Sequence, residues 1–225
     1  MRILIIVKER TGGVETVIKE VSGELRKLNH KVHILSRKDD LKINNLIMSV
    51  IAIRNKIRRL IGKEKYDIIY TQDWGMAFSL LFPYPLYREK HFSIFYGNQP
   101  GITRIMQIIT GKIMGKHLIV AGGFNKKRFP KSHLISNRVN MNLFRPLNKK
   151  RRYLGWPNKR TEILTERIIR DLGKKLKIPV LIMKGIPYEK LNEFYNKCKI
   201  FVSIPPRAAG SALSWMEAMA AGIPI

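Results

Sequence analysis

The hydrophobic pattern repeats along the chain. Ile3 to Val7 form a short continuous apolar run, the pattern of a parallel strand buried on both faces. A polar break follows, with Gly12 and Gly13 at the turn. Val14, Val17, Ile18, Val21, Leu25 and Leu28 then recur at spacings of three and four, which predicts an amphipathic helix. Residues 31–35 read as a second strand. Strand, turn, helix and strand in that order make the βαβ unit of a parallel sheet.

The alternation continues. It predicts a helix over 41–61, a strand over 67–70, and a helix over 75–81 that stops before Pro83 and Pro85. A strand at 91–95 follows, then a helix over 102–114 interrupted at Gly111, a strand at 117–120 ended by Gly122-Gly123, and a short strand at 133–136. Such repetition predicts a doubly wound α/β sheet. A boundary is expected near Phe144-Arg145-Pro146, with the polar, basic segment 148–152 as linker, so the expected domains are 1–146 and 147–225. The second unit starts at Tyr153 with Gly155-Trp156-Pro157. It is predicted to hold helices over 161–176, 188–196 and 211–220 and strands at 179–183 and 199–202, with a further strand beginning at 222–225. No solenoid repeat or low-complexity segment is present.

Composition narrows the class. The 225 residues include a single cysteine, Cys198, so no internal disulfide and no cysteine-built zinc site can form. The first apolar run is too short for a signal-peptide core, and no apolar stretch approaches the ~20 residues needed to span a bilayer. A cytoplasmic chain, free or peripheral to a membrane, is expected. Charge changes the picture more. The 43 Lys and Arg against 16 Asp and Glu give a net +27. That surplus favours anionic partners, whether phosphorylated ligands, acidic lipid or nucleic acid, although a Lys-rich surface can exist without one. Residues 1–146 carry +17 and residues 147–225 carry +10, so no basic tail explains it. The helix over 41–61 carries Arg54, Lys56, Arg58 and Arg59 opposite its apolar side. It reads as a core helix with a solvated basic face or as a membrane-surface helix.

Three places could carry chemistry. Gly12-Gly13 stand where a backbone can approach a ligand beside a helix N-terminus. The dinucleotide fingerprint and the P-loop are both absent. Lys149, Lys150, Arg151, Arg152, Lys159 and Arg160 form a basic cluster. The last two precede a helix, where side chains reach the carboxyl-end crevice of an open sheet and suit diphosphate oxygens. A solvated linker would carry the same residues. Glu217 is the one acid of an otherwise apolar helix that includes Leu213 and Ser214 and follows Gly210-Ser211. A buried carboxylate there needs a partner or ligand, and its two oxygens suit a vicinal diol such as ribose. An outward-facing glutamate is the plainer reading. Asp73, after the strand at 67–70, faces the crevice or is an ordinary loop acid. His33, His91 and His117 fall on predicted strands and read as structural. The five histidines show no metal-binding spacing, so no metal site is expected. No nucleic-acid reading module accompanies the charge, so nucleic acid is a weak candidate partner.

The motifs taken together resemble the family-4 retaining glycosyltransferases of the GT-B fold. Residues 2–7, Gly12-Gly13-Val14-Glu15 and His30-Lys31-Val32-His33 match that family's opening. Tyr66 to Trp74 resembles its "YDVVHAHDW" segment, Ile135 to Pro146 its "IPNGVD…LFRP", and Leu213 to Ile225 its "LSWLEAMAAGIPV". The resemblance implies two Rossmann-like domains facing a cleft, the second incomplete because the chain stops early. It implies a nucleotide-diphosphate sugar donor on the C-terminal domain, an acceptor on the N-terminal one, and metal-independent transfer with retention and no cofactor. Glu217 falls on the glutamate expected at the donor ribose, and Lys159 near the lysine expected at the diphosphate, with Arg160 beside it. Gly13 falls on the loop approaching phosphate and acceptor. Asp73 and Tyr96 fall on the sugar and acceptor side. Departures are visible. Ala209 stands in place of the family's earlier glutamate, Tyr96 in place of a histidine, Trp156 in place of an arginine and Arg138 in place of a glycine.

Overall fold

A computed structural model describes residues 1–8, 12–42, 46–97, 101–157, 163–203 and 213–225. The chain divides into two compact units, Met1–Ser136 and Asn137–Ile225. The division falls before the expected boundary at 146 because residues 137–146 pack into the core of the second unit. Phe144 is fully buried among Tyr195, Phe201 and Ala218. The Arg145 and Leu147 amides donate to the side chains of Asn192 (3.2 Å) and Asn196 (2.7 Å).

The first unit runs β1 (Arg2–Val7), α1 (Gly12–Lys27), β2 (Lys31–Ser36), α2 (Leu46–Lys63), β3 (Ile68–Gln72), α3 (Trp74–Leu81), β4 (His91–Phe95), α4 (Gly101–Met114), β5 (Leu118–Val120), α5 (Gly123–Arg128) and β6 (His133–Leu134). All six strands are parallel, in the order β2-β1-β3-β4-β5-β6. Both faces of the sheet are covered, which is why β1 is apolar at every position from Ile3 to Val7. Ile3, Ile5 and Val7 pack with Ile18 of α1 on one side. Leu4 and Ile6 pack with Ile53 and Ile57 of α2 and Leu80 of α3 on the other. Because β2 and β3 lie on opposite sides of β1, the chain reverses its winding there. The carboxyl ends of β1 and β3 therefore border the crevice where open sheets bind ligands.

Several expectations change. Gly111 does not interrupt α4. It is buried under the Phe129 ring, and a Cβ there would stand 2.4 Å from Phe129 Cε1. Gly122-Gly123 lead into α5, a helix absent from the pattern because only six residues form it. His117 closes a 3₁₀ turn, Gly115–His117, just before β5. Arg54 does not join the solvated face of α2. It is buried and donates to the carbonyls of Phe82 (2.5 Å) and Tyr84 (2.9 Å) beyond the end of α3.

The second unit runs β7 (Tyr153–Trp156), α6 (Ile163–Leu176), β8 (Val180–Ile182), α7 (Leu191–Lys197), β9 (Cys198–Phe201) and α8 (Leu213–Ala220). Its three parallel strands order as β8-β7-β9, so a second winding reversal lies between β7 and β9. Gly155, expected at the opening of the unit, sits within β7 because Cys198 packs against it. A Cβ there would lie 2.4 Å from Cys198 Sγ. The helix expected over 188–196 is split into a 3₁₀ turn, Tyr188–Lys190, and α7. Residues 222–225 form no strand, although Pro224 accepts a hydrogen bond from the Phe201 amide (2.9 Å), and Gly222 turns the chain at φ 72°.

Candidate active site

In the first unit the crevice side collects polar groups at four adjacent strand ends. Lys8 follows β1, Arg37 follows β2, Asp73 follows β3 and Tyr96 follows β4. Asp73 adopts φ 83° and ψ 149°, a region nearly reserved for glycine, where a side chain costs about 1–3 kcal/mol. Its carboxylate accepts from the Trp74 amide at 2.7 Å and so caps α3. Burial raises its pKa, opposed by the Trp74 amide and then by Lys8 and Arg37. A strained, buried acid at the switch point is a stronger feature than an ordinary loop aspartate. The structure thus brings Asp73 and Tyr96 together, and adds Tyr70 to them. Burial, then the neighbouring Tyr96 phenol, raises Tyr70 well above its ordinary value. Burial likewise raises Tyr96, with the neighbouring Tyr70 phenol opposing and Asp73 reinforcing. Both phenols stay protonated.

Two contributors went unseen in the sequence. Lys8 read only as the break after a strand, and Gln72 lay beyond the strand predicted at 67–70. Gln72 ends β3, is 1% exposed, and leaves both its amide nitrogen and its oxygen without a hydrogen-bond partner among the described residues. A buried carboxamide in that state is costly, and a ligand group is one remedy. Its position directly before Asp73 was the available signal. Gly12 and Gly13 open α1, so the backbone of the glycine turn enters a helix immediately after β1.

In the second unit Glu217 faces inward, not outward. It is 5% exposed, and its Oε2 accepts from Tyr195 Oη at 2.7 Å. Burial first, then Glu217, raises the Tyr195 phenol. Ser214 is buried and Leu213 half-buried at the start of α8. β9 ends at Phe201, next to the second winding reversal. Lys159, Arg160, Gly210 and Ser211, like Ala209, lie outside the described residues. Of the remaining basic cluster, Arg151 serves the fold. Its guanidinium donates to Gly222 O (2.7 Å) and Ala221 O (3.3 Å) at the end of α8. Lys149 pairs with exposed Glu193 at 3.7 Å. Among the described residues no group of three or more His, Cys, Asp or Glu side chains could hold a metal, and no helix is long and apolar enough to cross a membrane.

Two parallel α/β units, one of six strands and one of three, define the class: the GT-B fold of glycosyltransferases. Structural likeness supports this across the chain. Sucrose-phosphate synthase from Thermosynechococcus elongatus is similar at TM-score 0.72 and 14% identity, covering 100% of this chain and 80% of its own. A glycosyltransferase from Rickettsia africae follows at TM-score 0.67 and 18% identity, covering 99% and 77%. A UDP-GlcNAc 2-epimerase from Methanocaldococcus jannaschii, solved with UDP-GlcNAc and UDP, is similar at TM-score 0.59 and 12% identity, covering 100% and 83%. No curated protein sequence matches. Within the class, residues 11–120 match the model of the family Glycosyltransferase Family 4.

Proposed function

We propose that the protein is a retaining glycosyltransferase that moves a sugar from a nucleotide-diphosphate sugar to a hydroxyl acceptor, without a metal or cofactor. The observation that carries this reading is the family-4 match over residues 11–120. The donor belongs to the C-terminal unit, with Glu217 at the ribose diol and the start of α8, Lys159 and Arg160 at the diphosphate. The acceptor belongs to the N-terminal unit, near Asp73 and Tyr96. The similar epimerase that holds UDP-GlcNAc and UDP supports a nucleotide-sugar ligand for this fold. The bond from the anomeric carbon to the phosphate oxygen breaks with its electron pair going to the diphosphate. The acceptor oxygen bonds to the same face, and its proton leaves with the phosphate. Cationic side chains and helix-start amides stabilise the departing charge. The site is cytoplasmic, and the +27 charge supports contact with an anionic membrane carrying a lipid-linked acceptor.

Titration calorimetry with UDP- and GDP-sugars tests donor binding. Micromolar to millimolar affinity for at least one is expected; a folded protein that binds none overturns the reading. Ala209, in place of a glutamate expected at the donor sugar, favours a second reading, a binding module without turnover. Release of free nucleoside diphosphate from the bound donor separates the two: turnover excludes the module, and binding without turnover excludes the enzyme.

A further inference from the structure

Helix α4 is apolar on two sides. Its buried side carries Met114 together with Gln107, Thr110 and Gly111, and Met106 and Ile113 pack partly buried against the same core. Gln107 donates to Gly97 O at 2.6 Å and Thr110 to Met106 O at 2.7 Å, so these polar groups are satisfied inside. Its open side carries Ile102, Ile105 and Ile109, which are 72%, 53% and 41% exposed. A stripe of β-branched apolar residues at spacings of three and four, facing water, departs from the pattern of a globular surface helix. Isolated exposed isoleucines need no explanation, but an ordered stripe does.

Cations frame this stripe. Lys112 shares the exposed side. Arg128, at the end of α5, lines one pocket with Gly111 and Lys112 of α4, so the end of α5 lies beside α4. Arg128 stacks over the Phe124 ring at 4.9 Å, and Phe124 is itself 63% exposed. Phe124 thus adds an exposed apolar side chain on α5. Beyond the end of α4 a pocket of about 930 Å³ is lined by Lys112, Lys116, Lys131 and Arg88, with Glu89 the one acid among its lining residues. Past that acid the sequence is one-sided: between Glu89 and Glu162 there is no Asp or Glu, against sixteen Lys and Arg.

We propose that the α4–α5 face docks on an anionic membrane, its isoleucines and Phe124 entering the headgroup boundary while the flanking cations hold lipid phosphates. The charge distribution decides the occupant. A second copy would press Arg104, Lys112 and Arg128 against their own equivalents with no acid to meet them. A membrane supplies apolar depth and negative charge together, as interfacial helices require. This sharpens the membrane part of the proposed function by assigning the contact to α4, not to α2, and does not depend on sugar transfer.

Co-sedimentation of the full chain with vesicles tests it. Phosphatidylcholine vesicles containing phosphatidylglycerol should bind the protein, and pure phosphatidylcholine vesicles should bind it far less. A +27 protein adheres to anionic vesicles by charge alone, so the isoleucines are the deciding test. The I102Q/I105Q/I109Q variant should lose on the order of a hundredfold in affinity, with most of the loss persisting at high salt. K112Q should weaken binding about fivefold. Because these positions face water, the variant's thermal midpoint and donor affinity by calorimetry should match those of the parent. Binding of the triple variant equal to the parent's overturns the proposal, as does absence of binding by the parent. A parent dimer that the triple variant converts to monomer in light scattering also overturns it, assigning the face to a second copy. Donor binding measured on the same samples keeps failure of this proposal separate from failure of the glycosyltransferase reading.

Discussion

At the scale of single residues, Gly111 and Glu217 show packing overruling local preference. Alanine favours a helix over glycine by about 1 kcal/mol. At Gly111 a methyl group would meet Phe129 carbons at 2.4 and 2.7 Å. Overpacking of this kind costs about 1–3 kcal/mol, so Gly111→Ala is expected to lower stability despite the better propensity. Urea unfolding checks the sign, and a stabilised variant would show that the ring moves aside. Glu217 presents the converse problem, a carboxylate in an apolar core. Tyr195 answers it with one hydrogen bond at 2.7 Å. Glu217→Gln keeps an acceptor for that hydroxyl, so its stability should stay within about 1 kcal/mol of the parent. Donor affinity by calorimetry should fall about tenfold, because a ribose diol loses its charged acceptor. Unchanged affinity would remove Glu217 from the donor site. The acid itself was legible, since one carboxylate in an apolar helix demands a partner. Tyr195 was not, because that contact joins positions twenty-two residues apart on different helices.

At the scale of elements, legibility followed length and periodicity. β1, α1 and β2 emerged within a residue or two, because a strand buried on both faces is apolar throughout and α1 repeats at helical spacing. α5 was lost because six residues hold too little period. α4 was recognised as a helix but not for which side faces water. Periodicity locates an apolar stripe, and it is the packing of Gln107 and Thr110 inward that leaves the isoleucines outward. α2 misled in the opposite sense. Its basic residues suggested one solvated face, yet Arg54 turns inward and gathers the carbonyls that α3 leaves open at its end, a C-terminal cap supplied from another helix. Its guanidinium also stacks over the Tyr84 ring at 4.5 Å. Arg54→Ala would leave several buried acceptors unmet, and the expected loss is about 3 kcal/mol. Arg59→Ala, on the exposed side of the same helix, should change stability by less than about 0.5 kcal/mol. Equal effects in paired urea titrations would mean that Arg54 is solvated in solution.

At the scale of the molecule, the two units have separate cores, so unfolding need not be a single transition. Their chemistry also differs, since all five histidines lie in Met1–Ser136. His91 decides the consequence. It is fully buried, and its Nε2 meets Thr71 Oγ1 at 2.8 Å. Desolvation first, and His117 second, push its pKa down to about 3. In the unfolded chain the same imidazole takes a proton near its ordinary value of about 6.5. The unfolded state therefore binds more protons below that value, and the neutral folded form loses stability as pH falls. The window runs from about pH 6.5 down towards pH 3, with full stability above it. Between pH 7 and pH 5 the expected loss is about 2 kcal/mol in the first unit. Asp73 acts in the opposite sense, since burial favours its protonated form. The second unit contains no histidine and should keep its stability over the same range. Calorimetric scans at pH 7 and pH 5 should thus show one transition falling and another nearly fixed. His91→Val, which removes the titrating ring, should flatten the falling transition's dependence on pH even where it lowers its midpoint. If the parent's two transitions fall together, or if the valine variant stays as acid-sensitive as the parent, then the histidine between β3 and β5 is not what makes this half of the molecule respond to acid.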